Sequence, residues 1–145
     1  DDMWRALEIA QAADFVREEG GLDTIVKQDG SNFSGGQRQR LAIARTIIKP
    51  ASVYIFDDSF SALDFKTDAK LRQALRRDPQ IQRAVSVIVA QRISTVADAD
   101  LILVVDDGKV VGQGSHEELK ATNKTYQEIL HSQIQEGDEE RAQRK

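Results

Sequence analysis

Cysteine is missing altogether, and 145 residues hold only two prolines, one methionine and one tryptophan. Without cysteine there are no disulfides and no thiolate metal site. A reducing compartment fits this composition without being required by it. No apolar run approaches the ~18 residues that a membrane-spanning helix needs, and no signal peptide is visible. Positive charge is not in excess: 20 basic against 24 acidic residues leave a net charge of −4. That argues against a nucleic-acid binder relying on bulk positive charge. What is present is ordinary for a soluble globular domain, with 40% hydrophobic and 30% charged residues. The length suffices for one domain with its own core. The chain opens at Asp1-Asp2 rather than Met, directly before a helical pattern, and a piece of something longer is expected.

The pattern along the chain predicts alternating helices and strands. Met3 to Glu19 reads as one helix, with Met3, Leu7 and Ala10 on a stripe and Gly20-Gly21 ending it. Residues 22–33 read as loop. Ser34 with Gln37 three residues on forms a capping box, starting a helix through Leu41, Ala44, Ile47 and Ile48 that stops near Lys49-Pro50. Ser52 to Phe56 and Ala84 to Val89 are short, apolar and β-favouring, suited to strands covered on both faces. Between them Thr67 to Arg77 reads as a helix stopped by Asp78-Pro79. Asp106-Asp107-Gly108 between apolar runs signals a hairpin. Ser115 with Glu118 is a second capping box, opening a helical tail that includes Leu119, Tyr126, Ile129 and Leu130. From Gln135 onward the polar, charged sequence is expected to fray. This alternation predicts an α/β fold with a largely parallel sheet and flanking helices.

Two places carry candidate chemistry. At Ser34-Gly35-Gly36-Gln37, glycines open the first turn of a helix, where free N–H groups and the positive end of the dipole suit an anion. The Ser34 hydroxyl can donate as well, although a plain helix cap accounts for the same residues. Arg38 and Arg40 can be a solvated face. Asp57 and Asp58 end the apolar strand, the position at which parallel sheets bind ligands. A carboxylate there can hold Mg²⁺, and a neighbouring one can orient a water. Asp64 either caps the next helix or sits at a subunit contact. Gln91 leaves the second strand, where a hydrogen bond to a phosphate oxygen is possible. His116 and His131 lie near no other ligand-type cluster and read as surface residues.

Taken in order, these pieces resemble the nucleotide-binding domain of an ATP-binding cassette (ABC) transporter, exporter type. Phe33-Ser34-Gly35-Gly36-Gln37-Arg38-Gln39-Arg40 resembles the family signature, with Phe where Leu is usual. Val53 to Asp57 resembles the Walker B strand, Ser61-Ala62-Leu63-Asp64 the D-loop, and Val89 to Thr95 the switch segment. Asp107-Gly108 and Gly114 to Leu119 resemble the closing segment of exporter domains, which soluble relatives in DNA repair or translation do not usually carry. The resemblance covers about Asp23 to Gln133. It implies ATP and Mg²⁺ as ligands, with Asp57 on the metal, Asp58 and Gln91 catalytic, and Ser34, Gly35, Gly36, Gln37 and Asp64 at nucleotide sites. It also implies a second nucleotide-binding domain and a transmembrane domain as partners, no nucleic acid, and a place at the cytoplasmic face of a membrane, with the piece itself soluble.

Three departures qualify the activity that the resemblance implies. No G-x-x-x-x-G-K-[ST] occurs among the 145 residues. The chain therefore resembles the C-terminal part of a P-loop NTPase-like domain, lacking the phosphate-loop segment. On that reading 1–50 is the end of the helical subdomain with the signature helix, 51–134 the remaining catalytic core, and 135–145 a polar tail. Asp58 stands where the family's catalytic Glu is expected, and Gln91 where the switch His is expected. Both departures fall on the chain's own Walker side, while the signature that serves a partner's ATP is nearly intact. This resembles the degenerate half of a heterodimeric exporter. The piece alone is expected to be inactive.

Overall fold

The structure is a computed structural model that describes residues 1–143, with side-chain surroundings described for 1–135. The chain forms two compact units, Asp1–Ala90 and Gln91–Lys145.

In the first unit, helices α1 (Asp2–Ile9) and α2 (Ala13–Glu18) replace the single expected helix. The break is a Schellman-type stop. The Ala12 N–H donates to the Leu7 carbonyl at 2.7 Å, the Gln11 N–H to that of Glu8 at 3.1 Å, and Gln11 sits at φ +58°. Glycine usually fills that left-handed position, so the sequence carried no stop signal there. The Arg40 guanidinium supports it by donating to the Gln11 carbonyl at 2.6 Å. Leu7 and Ala10 are buried as expected, whereas Met3 is exposed.

A short 3₁₀ turn, Gln28–Gly30, interrupts the loop before α3 (Gly35–Ile47). Then come β1 (Val53–Asp57), α4 (Phe65–Arg77), α5 (Pro79–Gln82) and β2 (Val85–Val89). Strands β1 and β2 pair in parallel, in register from Val53 with Val85 to Asp57 with Val89. The core joins Ala6, Leu7 and Phe15 to Ile43, Ala44 and Ile47 of α3, Tyr54 and Phe56 of β1, and Leu71 and Leu75 of α4. The Tyr54 hydroxyl is saturated within this core, accepting from the Ala51 N–H and Gln80 Nε2 and donating to the Lys49 carbonyl.

The expectation that both strands are covered on both faces is corrected. Tyr54 and Phe56 are buried, but Val53, Ile55, Val85, Val87 and Val89 are exposed. Alternation points every second side chain to the same face, and in β1 only one of the two faces carries a packed layer.

The second unit opens with α6 (Ile93–Val96), followed by the antiparallel hairpin β3 (Ile102–Asp106) and β4 (Lys109–Gly114). The hairpin turns where predicted. Asp107 and Gly108 both have positive φ, 46° and 71°, as a two-residue turn that follows the strands' twist requires. The sheet is thus a small parallel pair plus a separate hairpin. Helices α7 (His116–Thr122) and α8 (Lys124–Gln143) follow, separated at Asn123, whose Oδ1 accepts from the Tyr126 N–H. The helical backbone continues into the polar stretch as far as Gln143. Residues 144 and 145 of the expected tail lie outside the described residues. Ile93, Ile102, Val104, Leu119 and Tyr126 form the second core. His116 is not a free surface residue: it is half-buried, its Nδ1 lies 2.7 Å from the Tyr126 hydroxyl, and its ring meets Tyr126 edge-on. His131 is exposed as expected.

Candidate functional site

The N-terminus of α3 is built as its sequence predicts. Ser34 is extended, its Oγ accepts from the Gln37 N–H at 3.1 Å, and Gln37 Oε1 accepts from the Ser34 N–H at 2.8 Å. This reciprocal box satisfies one donor at each end of the turn. It leaves the N–H groups of Gly35 and Gly36 with no backbone acceptor among the described residues. Two unsatisfied donors at the positive end of a thirteen-residue helix form a receptive face for an anion.

Residues 58–64 fold back onto that face. The Ala62 carbonyl oxygen lies 3.0 Å from where a Cβ on Gly36 would stand, so the approach depends on glycine at 36. Ser34, Gly35 and Gly36 on one side and Asp64 and Thr67 on the other border an open depression of about 490 Å³. Arg40 also reaches it. That guanidinium is half-buried over the Phe15 ring, at 4.8 Å, and is not part of a solvated face. Burial lowers its pKa and the Asp64 carboxylate opposes the shift. Arg38 donates to the Phe33 carbonyl at 2.9 Å.

Asp64 caps α4, accepting from the Thr67 N–H at 3.2 Å. The hydrogen bonds from the Thr67 side chain and N–H hold its carboxyl below the usual range. The capping reading is therefore present in the structure, and the same carboxylate borders the depression.

Asp57 and Asp58 end β1. Asp57 is exposed, and no donor among the described residues engages its carboxylate. Asp58 extends the ladder by donating its N–H to the Val89 carbonyl at 3.0 Å, then leaves the strand at φ +48°. Its Oδ2 accepts from Ser61 Oγ at 3.2 Å. The described residues hold no group of three or more His, Cys, Asp or Glu side chains that could cage a metal. Asp57, exposed and without a side-chain donor among the described residues, is the carboxylate there whose chemistry fits a hard cation such as Mg²⁺.

Gln91 opens the second unit and is exposed. Its carbonyl accepts from Gln133 Nε2 at 2.7 Å, while Gln133 Oε1 accepts from the Ile93 N–H at 2.9 Å. One amide on α8 thus fixes the backbone of the segment carrying Gln91.

The structure therefore gathers Ser34, Gly35, Gly36 and Asp64 around one depression, with Gln37 in the same helical turn. Reading the sequence missed Gln39. Its amide makes three hydrogen bonds to the loop after β1: Nε2 to the Asp58 carbonyl at 3.1 Å and to Ser61 Oγ at 2.9 Å, and the Ala62 N–H to Oε1 at 2.8 Å. Gln39 stands within the signature-like run, but nothing local in that run points to partners some twenty positions away.

A model of the ABC transporter family matches residues 2–61. An uncharacterized ABC transporter ATP-binding protein of Mycobacterium tuberculosis is 53% identical over 133 residues, covering 91% of this chain and 22% of that protein. The ATP-dependent lipid A-core flippase of Vibrio vulnificus is 43% identical over 138 residues, with 94% of this chain and 23% of the flippase covered. A bacterial Atm1-family ABC exporter solved with ATP bound superposes with a TM-score of 0.85 at 37% identity, over 91% of this chain and 23% of that one. The chain thus spans less than a quarter of the length of each of these three relatives.

Proposed function

Because this chain belongs to the ATP-binding domain family of ABC transporters, we propose that it is the C-terminal part of an exporter's nucleotide-binding domain, which binds and hydrolyses ATP to drive export across a membrane. One observation carries this reading. The donor-rich N-terminus of α3 and the carboxylate end of β1 are tied together through the Gln39 amide. A face suited to phosphate and a pair of exposed carboxylates are thereby held by one side chain.

On this reading the N–H groups of Gly35 and Gly36, with the Ser34 hydroxyl and the Gln37 amide, bind the triphosphate presented by a second nucleotide-binding domain. Asp64 sits at that contact. Asp57 holds Mg²⁺, which supplies charge neutralisation at the phosphoryl group being transferred. Asp58 orients the attacking water, and Gln91 donates to a terminal phosphate oxygen. These residues act by positioning and electrostatics rather than by covalent chemistry. Residues 1–50 belong to the helical subdomain and signature helix, and 51–134 to the catalytic core. No helix among the described residues is long and apolar enough to cross a membrane. On this reading the partner transmembrane domain supplies those spans, with this domain at the cytoplasmic face.

A second reading is favoured by the geometry at Asp58. Its short carboxylate already accepts from Ser61, and Gln91 cannot titrate as a His would. This supports a domain that holds ATP and sustains hydrolysis in a non-identical partner.

The test is steady-state ATPase of the complete polypeptide, with wild type, Asp57→Asn, and Asp58→Glu with Gln91→His compared. Loss of turnover in Asp57→Asn is expected. A gain of about tenfold or more in the double variant supports the non-identical partner. A fast wild type that gains nothing favours two identical domains. Full activity in Asp57→Asn sinks the assignment.

A further inference from the structure

We propose that Gln39 is a positioning residue for the Asp58 carboxylate, acting through the Ser61 hydroxyl. The proposal rests on the ATPase reading above and adds to it a residue that aims the carboxylate.

The orientation of the Gln39 amide follows from its partners. The Ala62 N–H can only donate and so faces Oε1; the Asp58 carbonyl can only accept and so faces Nε2. Nε2 also donates to Ser61 Oγ at 2.9 Å. Ser61 has one hydroxyl proton and two acceptors within reach, the Asp58 carbonyl at 3.3 Å and Asp58 Oδ2 at 3.2 Å. The carboxylate carries charge and is the stronger acceptor of the two, and it is also the nearer, so the Ser61 proton is directed to Oδ2. The relay therefore runs one way, from the Gln39 amide to the Ser61 hydroxyl to the Asp58 carboxylate.

The backbone needs the same support. Asp58 is a non-glycine residue at φ +48°, an uncommon conformation that persists where its surroundings enforce it. Its N–H is fixed by Val89 and its carbonyl by Gln39. Helix α3 itself does not depend on this amide, since Ile43, Ala44 and Ile47 share the core with Tyr54 and Phe56. Removing the amide should free the loop without unfolding the unit.

The experiment uses the complete polypeptide as wild type, Gln39→Ala and Gln39→Glu. Two quantities are read: hydrogen–deuterium exchange of peptides containing the Ala62 amide, and kcat separately from KM for ATP. Gln39→Ala should lose protection at Ala62 and lower kcat by about tenfold to a hundredfold, with KM near wild type because the Ser34–Gln37 box is untouched. Gln39→Glu keeps an acceptor for the Ala62 N–H but has no donor for Ser61 or for the Asp58 carbonyl, whereas a further variant, Ser61→Ala, removes only the hydroxyl and keeps both Gln39 bonds to the backbone. Both should hold protection at Ala62 and leave kcat low. A loop that serves only as a structural brace would keep wild-type kcat in Ser61→Ala, and that outcome overturns the proposal. Unchanged protection in Gln39→Ala overturns it too, because exchange is read without turnover. Lost protection with wild-type kcat does the same. A wild type with no ATPase activity, either alone or with its cognate partner subunit, refutes the functional reading and the positioning role with it, while the exchange data still report separately on whether Gln39 holds the loop.

Discussion

Gly36 and Ala62 lie against each other, with the Ala62 carbonyl oxygen 3.0 Å from the place of a Gly36 Cβ. At Gly35 the nearest atom to such a Cβ is the Ala62 methyl at 3.7 Å, an ordinary contact. The two glycines of one turn are therefore not equivalent. Gly35→Ala should fold as well as wild type or gain up to ~1 kcal/mol from helix propensity. Gly36→Ala has the same intrinsic gain but must push the Ala62 backbone away. It should come out less stable than Gly35→Ala by urea unfolding, with faster amide exchange around Ala62. Equal stability and exchange in the two variants would refute the close approach.

Asp64 gives a pH-dependent contribution with a defined sign. Its folded carboxyl is held below the ordinary value by the Thr67 hydrogen bonds. The stabilisation is present above the unfolded carboxylate pKa and is lost as the pH falls through the lower folded value. Asp64→Ala should therefore lower the melting temperature by a few degrees at neutral pH, and the difference should shrink in acid. Asp64→Asn keeps a capping oxygen and should flatten the pH dependence while retaining more stability than Ala. A deficit of Asp64→Ala that is constant down to strong acid would contradict this.

Asp78 is buried and serves two structures at once. One oxygen accepts from the Gln80 and Ile81 N–H groups to cap α5, and the other accepts from Arg5 of α1 at 2.6 Å. Asp78→Ala strands both N–H groups and the guanidinium, and should cost about 2 kcal/mol or more. Arg5→Ala leaves the cap in place and loses a partner that is itself partly exposed, so it should cost about 1 kcal/mol or less. Chemical denaturation of both single variants gives the order, and a reversed order would show that the ion pair outweighs the cap.

The Tyr54 hydroxyl satisfies the Lys49 carbonyl, the Ala51 N–H and the Gln80 amide inside the first core. Tyr54→Phe keeps the packing and removes all three partnerships at once. It should destabilise by about 1–3 kcal/mol, with exchange rising at Ala51. A neutral result would mean that water replaces the hydroxyl.

Much of the site was legible in the sequence because its signals are local. A capping box needs only Ser34 and Gln37, or Ser115 and Glu118, and both formed as read. The Asp107-Gly108 turn demands two positive φ angles, which few residue pairs allow. The helix stop at Gln11 was not legible, because it depends on Arg40, 29 positions away, reaching the Gln11 carbonyl. Strand burial was misread for a related reason. An apolar run says that a side chain can be covered, while what covers it is set by packing. His116 reads as solvent-facing until Tyr126 is placed beside it.

The sequence by itself determined the strands, the two capping boxes, the Asp107-Gly108 turn and the order of motifs on which the resemblance rests, since these depend on neighbours within a few positions. Only the tertiary structure decided that the loop after β1 lies on the α3 N-terminus and that the Gln39 amide ties the two together. Residues 39 and 58–62 are some twenty positions apart, and no local periodicity encodes the hydrogen bonds that join them.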